Sequence, residues 1–203
     1  MMKTKFFLLF CIVLSACLLA YAAEEKKAAP AAGEKTMAKP AAGTMSKAAK
    51  IKNAMSASPL SIAKDATIMD WPEKEGGEMT TLKEGTNGWT CLPNDPNTPS
   101  NDPMCLDKMG MEWGKAWMSH QDPKLATDGL GYMLQGGGDA SNTDPFAEKP
   151  KEGEKWLKEG PHVMIFPAEG KLDAETYGTD PNTGKPWVMF PGTPYQHLMM
   201  PVR

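Results

Sequence analysis

Two short stretches hold the residue types with the most chemistry. "PHVMIFP" (Pro161 to Pro167) and "QHLMMP" (Gln196 to Pro201) each place a histidine two residues before a methionine. On an extended strand the side chains at i and i+2 point to one face. His162 with Met164, and His197 with Met199, would then each present imidazole and thioether together. If the two strands are neighbours in matching register, the four side chains converge. A soft, mixed nitrogen and sulfur set suits Cu(I) or a redox-active copper, so His162, Met164, His197 and Met199 are the candidate metal ligands. The competing expectation is packing. The chain holds 16 methionines, and methionine fills irregular gaps in cores. His120, the remaining histidine, falls near the end of a helical pattern, where the dipole favours its protonated form.

The cysteines suggest a staple rather than a reactive pair. Cys11 and Cys17 fall in the apolar N-terminal stretch, which leaves Cys91 and Cys105. Redox dithiols and zinc sites favour C-x-x-C-like spacing, and here thirteen residues intervene. The expected product is a Cys91–Cys105 disulfide closing a polar loop, worth about 3 kcal/mol in the chain-entropy account.

Five aspartates, Asp95, Asp102, Asp122, Asp144 and Asp180, each precede a proline. Asp-Pro starts turns, because the carboxylate takes nearby amides and proline presets its own φ. Calcium is the sharper alternative, most naturally at Asp139 to Asp144 or within the disulfide loop. No run has the alternating donors and sixth-place glycine of an EF-type loop. Gly136-Gly137-Gly138 lacks the Gly-Lys-Ser/Thr ending of a phosphate loop and reads as a flexible turn.

No G-x-S-x-G elbow or H-E-x-x-H helix occurs, so no hydrolytic signature emerges. Carboxylate pairs carry no information in a region with 22 acids. No catalytic residue or bound cofactor is assigned on these grounds, and the pattern favours binding over catalysis. Exposed tryptophans among Trp71, Trp89, Trp113, Trp117, Trp156 and Trp187 would form a platform for a glycan. Buried, they are core.

The elements that must position these residues follow a change in composition. Lys3 and Lys5 precede "FFLLFCIVLSACLLAYA", the pattern of a secretory signal over 1–22. Ala20-Tyr21-Ala22 suits ordinary cleavage, while Leu14 to Cys17 resembles the lipobox of bacterial lipoproteins. Export to the periplasm, cell envelope or medium agrees with the disulfide. Residues 23–45, rich in Lys, Ala and Pro, read as a disordered linker. Residues 24–64 carry a net charge of +5, and residues 65–203 a net of −10. Membrane contact is therefore expected only through a lipid anchor or the basic linker. An acidic body excludes nucleic acid, leaving an envelope partner or a glycan.

Residues 46–64 read as short helices, the first capped by Ser46 with Ala48, Ile51 and Met55 on one face. Residues 65–203 read as one globular domain of short strands, with Thr86-Asn87-Gly88 joining two of them in a hairpin. One helix runs from an Asp107 cap to Asp122, and Gly110 and Gly114 would let Trp113 and Trp117 approach a sheet. The late strands, apolar at successive positions, suggest burial on both faces. The fold expected is mainly β, or α+β: an antiparallel sandwich or barrel-like domain, loop-rich, with one packed helix and one disulfide.

Overall fold

The structure, a computed structural model, describes residues 45–74, 76–168 and 172–202. The secretory leader, the lipobox and the linker up to residue 44 lie outside the described residues. Eight strands form one sheet: β1 (Thr67–Asp70), β2 (Thr80–Lys83), β3 (Thr90–Leu92), β4 (Met104–Leu106), β5 (Gly129–Met133), β6 (His162–Phe166), β7 (Trp187–Met189) and β8 (His197–Pro201), in the order β2-β1-β3-β4-β5-β6-β8-β7. Every pairing is antiparallel except the parallel β1–β3 pair. Helices α1 (Lys47–Met55), α2 (Leu60–Ala63), α3 (Lys108–Met118) and α4 (Ala174–Tyr177) and a 3-10 turn (Pro181–Thr183) complete the described elements. The expected class is therefore present: a mainly β domain with a packed helix and the Cys91–Cys105 disulfide.

The two faces of the sheet are built from different material. Cys91 pairs directly with Cys105, and Cys105 with Tyr132, so these three share a face. On it lie Ala54, Ala57, Ala66 and Ile68, with no exposed surface, and α1 packs there against β1, β3 and β4. The intervening residues point the other way. Leu106, Met133, Met164, Phe166, Trp187, Met189 and Met199 form the second cluster, covered by α3.

Several local expectations change in detail. The Thr86–Gly88 turn does not close a hairpin, because β1 lies between β2 and β3. The turn is held instead on the α2–β1 junction: Thr86 N donates to Asp65 O (2.8 Å) and Asn87 Nδ2 to Ile62 O (2.8 Å). Ser46 caps α1, accepting from Ala49 N at 3.2 Å. Ala48 nevertheless faces solvent, and the buried residues are Asn53 and Ala54. Ile51 and Met55, the other two residues expected on the packed face, lie partly buried against the same cluster as Ala54.

Asp107 caps α3 through Gly110 N at 2.7 Å. The helix ends at Met118, before the expected stop at Asp122, and His120 has φ +54°. Contacts beyond the helix hold this exit: His120 stacks on Phe146 at 4.1 Å, and Tyr195 donates its hydroxyl to Gln121 O at 2.8 Å. Gly110 is needed for close approach, since a Cβ there would lie 2.9 Å from Leu130 O. Gly114 is not, as its nearest neighbour would sit at an ordinary 3.8 Å. Burial on both faces holds for β7 and for the first three residues of β8, whereas β6 alternates.

Candidate functional site

Under α3, on the methionine face, lies a cavity of about 150 Å3. Eight methionines line it: Met79, Met104, Met111, Met118, Met133, Met164, Met189 and Met199. Trp71, Trp113, Trp117, Phe166 and Phe190 supply aromatic wall. Thioethers are flexible and polarizable, so this lining can adapt to more than one shape. The indoles of Trp71 and Trp117 donate to Pro93 O (2.7 Å) and Pro145 O (2.8 Å), which fixes their rings. Trp113 Nε1 is buried without a hydrogen-bond partner.

The four sequence-predicted metal candidates share this face. β6 and β8 are antiparallel neighbours, and Met164 stands directly opposite Met199. The register places His162 opposite Pro201, so the two imidazoles flank the methionine pair from opposite ends of the strands. Both histidines are buried and anchored in the same way. His162 Nδ1 lies 2.8 Å from Gly160 O, and His197 Nδ1 lies 3.0 Å from Tyr195 O. A carbonyl only accepts, so each Nδ1 carries the proton and each Nε2 keeps its lone pair. His162 Nε2 has no partner. Burial lowers the pKa of His162, and lowers that of His197 to about 4. Both rings are therefore neutral near pH 7. His197 sits among Trp113, Phe166 and Phe190, with ring centroids 5.1, 5.3 and 5.7 Å away.

No sequence motif assembles the cavity's polar wall. Asp95, Asp102, Asp139 and Glu159 line it together with Thr98 and Gly138. Asp102 is buried, accepts from the Thr98 hydroxyl and from Asp95 N (2.9 Å), and so departs from the turn role expected of Asp-Pro. The turn role does hold for Asp95, Asp144 and Asp180, which accept from the amides two residues on at 2.7, 3.0 and 2.9 Å. Burial raises the pKa of Asp102 to about 6, with the Asp95 charge adding to the rise. Asp139 and Glu159 form an interacting carboxyl pair. Burial raises both, followed for Asp139 by the Asp102 charge and for Glu159 by the Asp139 charge. Glu159 Oε1 is buried with no hydrogen-bond partner.

Two features bring these acids together. Asn53 of α1 reaches into the disulfide loop, accepting from Asn94 N (2.7 Å) and donating to Asn101 Oδ1 (2.8 Å). Asn94 in turn accepts from Asp102 N at 3.2 Å. The glycine run, expected to be a flexible turn, is a close-packed seam. Gly137 bridges Glu159 through N–O bonds of 3.0 and 3.1 Å, and a Cβ on Gly138 would lie 2.2 Å from Ser100 Oγ. A Cβ on Gly137 would lie 3.0 Å from the Met133 methyl, 3.2 Å from Glu159 Oε2 and 3.9 Å from Asp102 Cβ. Apolar wall and acids therefore meet above one glycine.

Among the described residues, no group of three or more His, Cys, Asp or Glu is set to hold a metal ion. Asp139, one of the calcium candidates, faces Glu159 and Asp102, while Asp144 is taken up in its turn. Of the six tryptophans, Trp187 is buried and the other five are half-buried. No family model, curated protein or solved structure matches the chain. Among the described residues no helix is long and apolar enough to cross a membrane. The disulfide points to an oxidising, non-cytoplasmic location.

Proposed function

We propose that this chain is an exported, non-catalytic domain of the cell envelope or periplasm that binds a small, largely apolar ligand beneath α3. The observation that carries the reading is the cavity itself, apolar through most of its wall and polar along one part. A concave, mainly apolar pocket with a few converging polar groups and perturbed acids is the usual form of a ligand site. An apolar cavity of roughly 150 Å3 accommodates a benzene-sized molecule. Differential scanning fluorimetry of the oxidised protein with toluene or indole tests this, since a ligand of the native state raises Tm with concentration. The variant Met118→Trp, at the C-terminal end of α3 where an exposed side chain lines the cavity, should abolish the shift. An unchanged Tm with all small aromatics and aliphatics, or reproducible turnover by the purified protein, contradicts the reading.

A second reading rests on separate observations: the Met164–Met199 pair and the matched Nδ1 anchoring of His162 and His197, with His162 Nε2 without a partner. Two thioethers with one imidazole form a soft donor set for Cu(I), and a backbone carbonyl on Nδ1 is the outer-shell support such ligands use. Competition against a Cu(I) chelator tests it. One retained equivalent, lost in Met164→Leu/Met199→Leu, supports copper. Equal copper retention by that variant and the parent removes it.

A further inference from the structure

Within the proposed cavity, the geometry points to a specific ligand class: an organic amine whose ammonium head lies against Asp102, Asp139 and Glu159 and whose hydrocarbon body fills the methionine- and tryptophan-lined space. The inference rests on the cavity being a binding site and names what it takes.

Charge balance is the first argument. The titratable groups facing the cavity are Asp95, Asp102, Asp139, Glu159 and His197. No lysine or arginine is among its described lining residues. The salt bridges Lys50–Asp70, Lys64–Asp65 and Lys115–Glu112 involve none of Asp102, Asp139 and Glu159. Burying carboxylates without a counter-charge is costly, so such groups hold protons instead. His197 cannot supply the charge, because its ring is neutral.

The second argument is an unused acceptor. Glu159 lines the cavity, and its Oε1 is sealed from solvent without a hydrogen-bond partner, while the carboxyl group as a whole also shares a side-chain hydrogen bond with Asp139. Leaving such an atom unpaired is expensive unless a ligand completes it. An ammonium brings three donors and one positive charge. It would bind the ionised acids and displace their protons. A neutral alcohol could use the same acceptor, but would displace none. A carboxylate ligand would be repelled.

The third argument is shape. The acids adjoin apolar wall at Gly137, where the Met133 methyl and Glu159 Oε2 approach the same point. Trp71, Trp113 and Trp117 line the cavity, and indole rings favour cations as well as hydrocarbon. A head group at the acids thus leaves its attached carbon skeleton in the apolar space.

Isothermal titration of the full oxidised protein with benzylamine, benzyl alcohol, toluene and benzoate tests the class, repeated in phosphate and Tris to count protons. Benzylamine should bind at least tenfold tighter than the two neutral compounds, with net proton release near pH 6 to 7 and affinity rising from pH 5 to 8. Asp139→Asn/Glu159→Gln should remove most of that preference. Asp102→Asn, which keeps an acceptor for Thr98, should reduce it if the double variant does not fold. Toluene and benzyl alcohol binding as tightly as benzylamine, without proton release, overturns the amine and leaves the cavity reading intact. If none of the four binds, the cavity reading falls and the amine with it.

Discussion

The two faces of the sheet differ in how they are filled. Behind Cys91 and Cys105, the packing is alanine, isoleucine and disulfide sulfur, with Ala54, Ala57, Ala66 and Ile68 fully enclosed. Beneath α3, the packing is methionine and aromatic rings, and a cavity of about 150 Å3 remains among them. Small side chains let α1 sit close and fix the loop that carries Asp102. Long, flexible side chains leave room. Through Asn53 and Asn94 the close-packed face thus positions one acid of the cavity on the other face.

The largest effect expected from breaking this division comes from the staple. Replacing both cysteines, Cys91→Ala/Cys105→Ala, should cost about 3 kcal/mol, read as a lowered denaturation midpoint. Ligand affinity should also fall, because the loop holding Asp102 loosens. Loss of stability with full affinity retained would separate the two faces.

Enlarging the tight face comes next. Ala57→Leu should cost about 1–3 kcal/mol by overpacking, whereas Met164→Leu on the other face, close in volume, should cost under about 1.5 kcal/mol. Chemical denaturation of both variants measures the contrast, and equal losses would contradict it.

A smaller effect lies in the pH dependence. The folded-state pKa of Asp102 is raised to about 6 from 3.8. Its proton is held more tightly in the folded protein, so its contribution to stability is greatest below pH 4 and is lost as pH rises through 6. His197 runs the other way. Its pKa is lowered to about 4 from 6.5, so its contribution is full above pH 6.5 and lost as pH falls through 4. Asp102→Asn should therefore raise Tm at pH 8 relative to the parent and leave it nearly unchanged at pH 3.5. The opposite ordering would mean that Asp102 is ionised and paired.

Most strands, the α1 and α3 caps and the Asp95, Asp144 and Asp180 turns were legible in the sequence, because each rests on neighbours in the chain, and the disulfide followed from cysteine number and spacing. The three-residue β4 and the departure of Asp102 from its turn role were not legible. Asp107 and Ser46 cap helices through amides three residues on, and Asp144 closes its turn two residues on. The facing of Met164 and Met199 was legible as an option, since strand alternation puts them on one face once β6 and β8 adjoin. Strand order was not, because β1 lies between β2 and β3, and the Thr86–Gly88 turn is held on Asp65 O and Ile62 O, contacts distant in the sequence. The acid wall was the least visible. Asp102 looks like four other Asp-Pro pairs, Glu159 sits in a lysine- and glutamate-rich stretch, and Gly136–Gly138 resembles any flexible turn. Only the fold brings Asn53, Gly137 and Glu159 into one place. One signal was available: three successive glycines leave room for close backbone approach as readily as for flexibility.

The most direct test of the cavity is NMR of the oxidised protein labelled with 13C at the methionine methyls, titrated with toluene. The account predicts shifts concentrated at Met104, Met133, Met164, Met189 and Met199, with Met55, which packs on the opposite face, unchanged. No shifts at these methyls, or shifts at Met55 as large as theirs, would contradict a ligand site beneath α3.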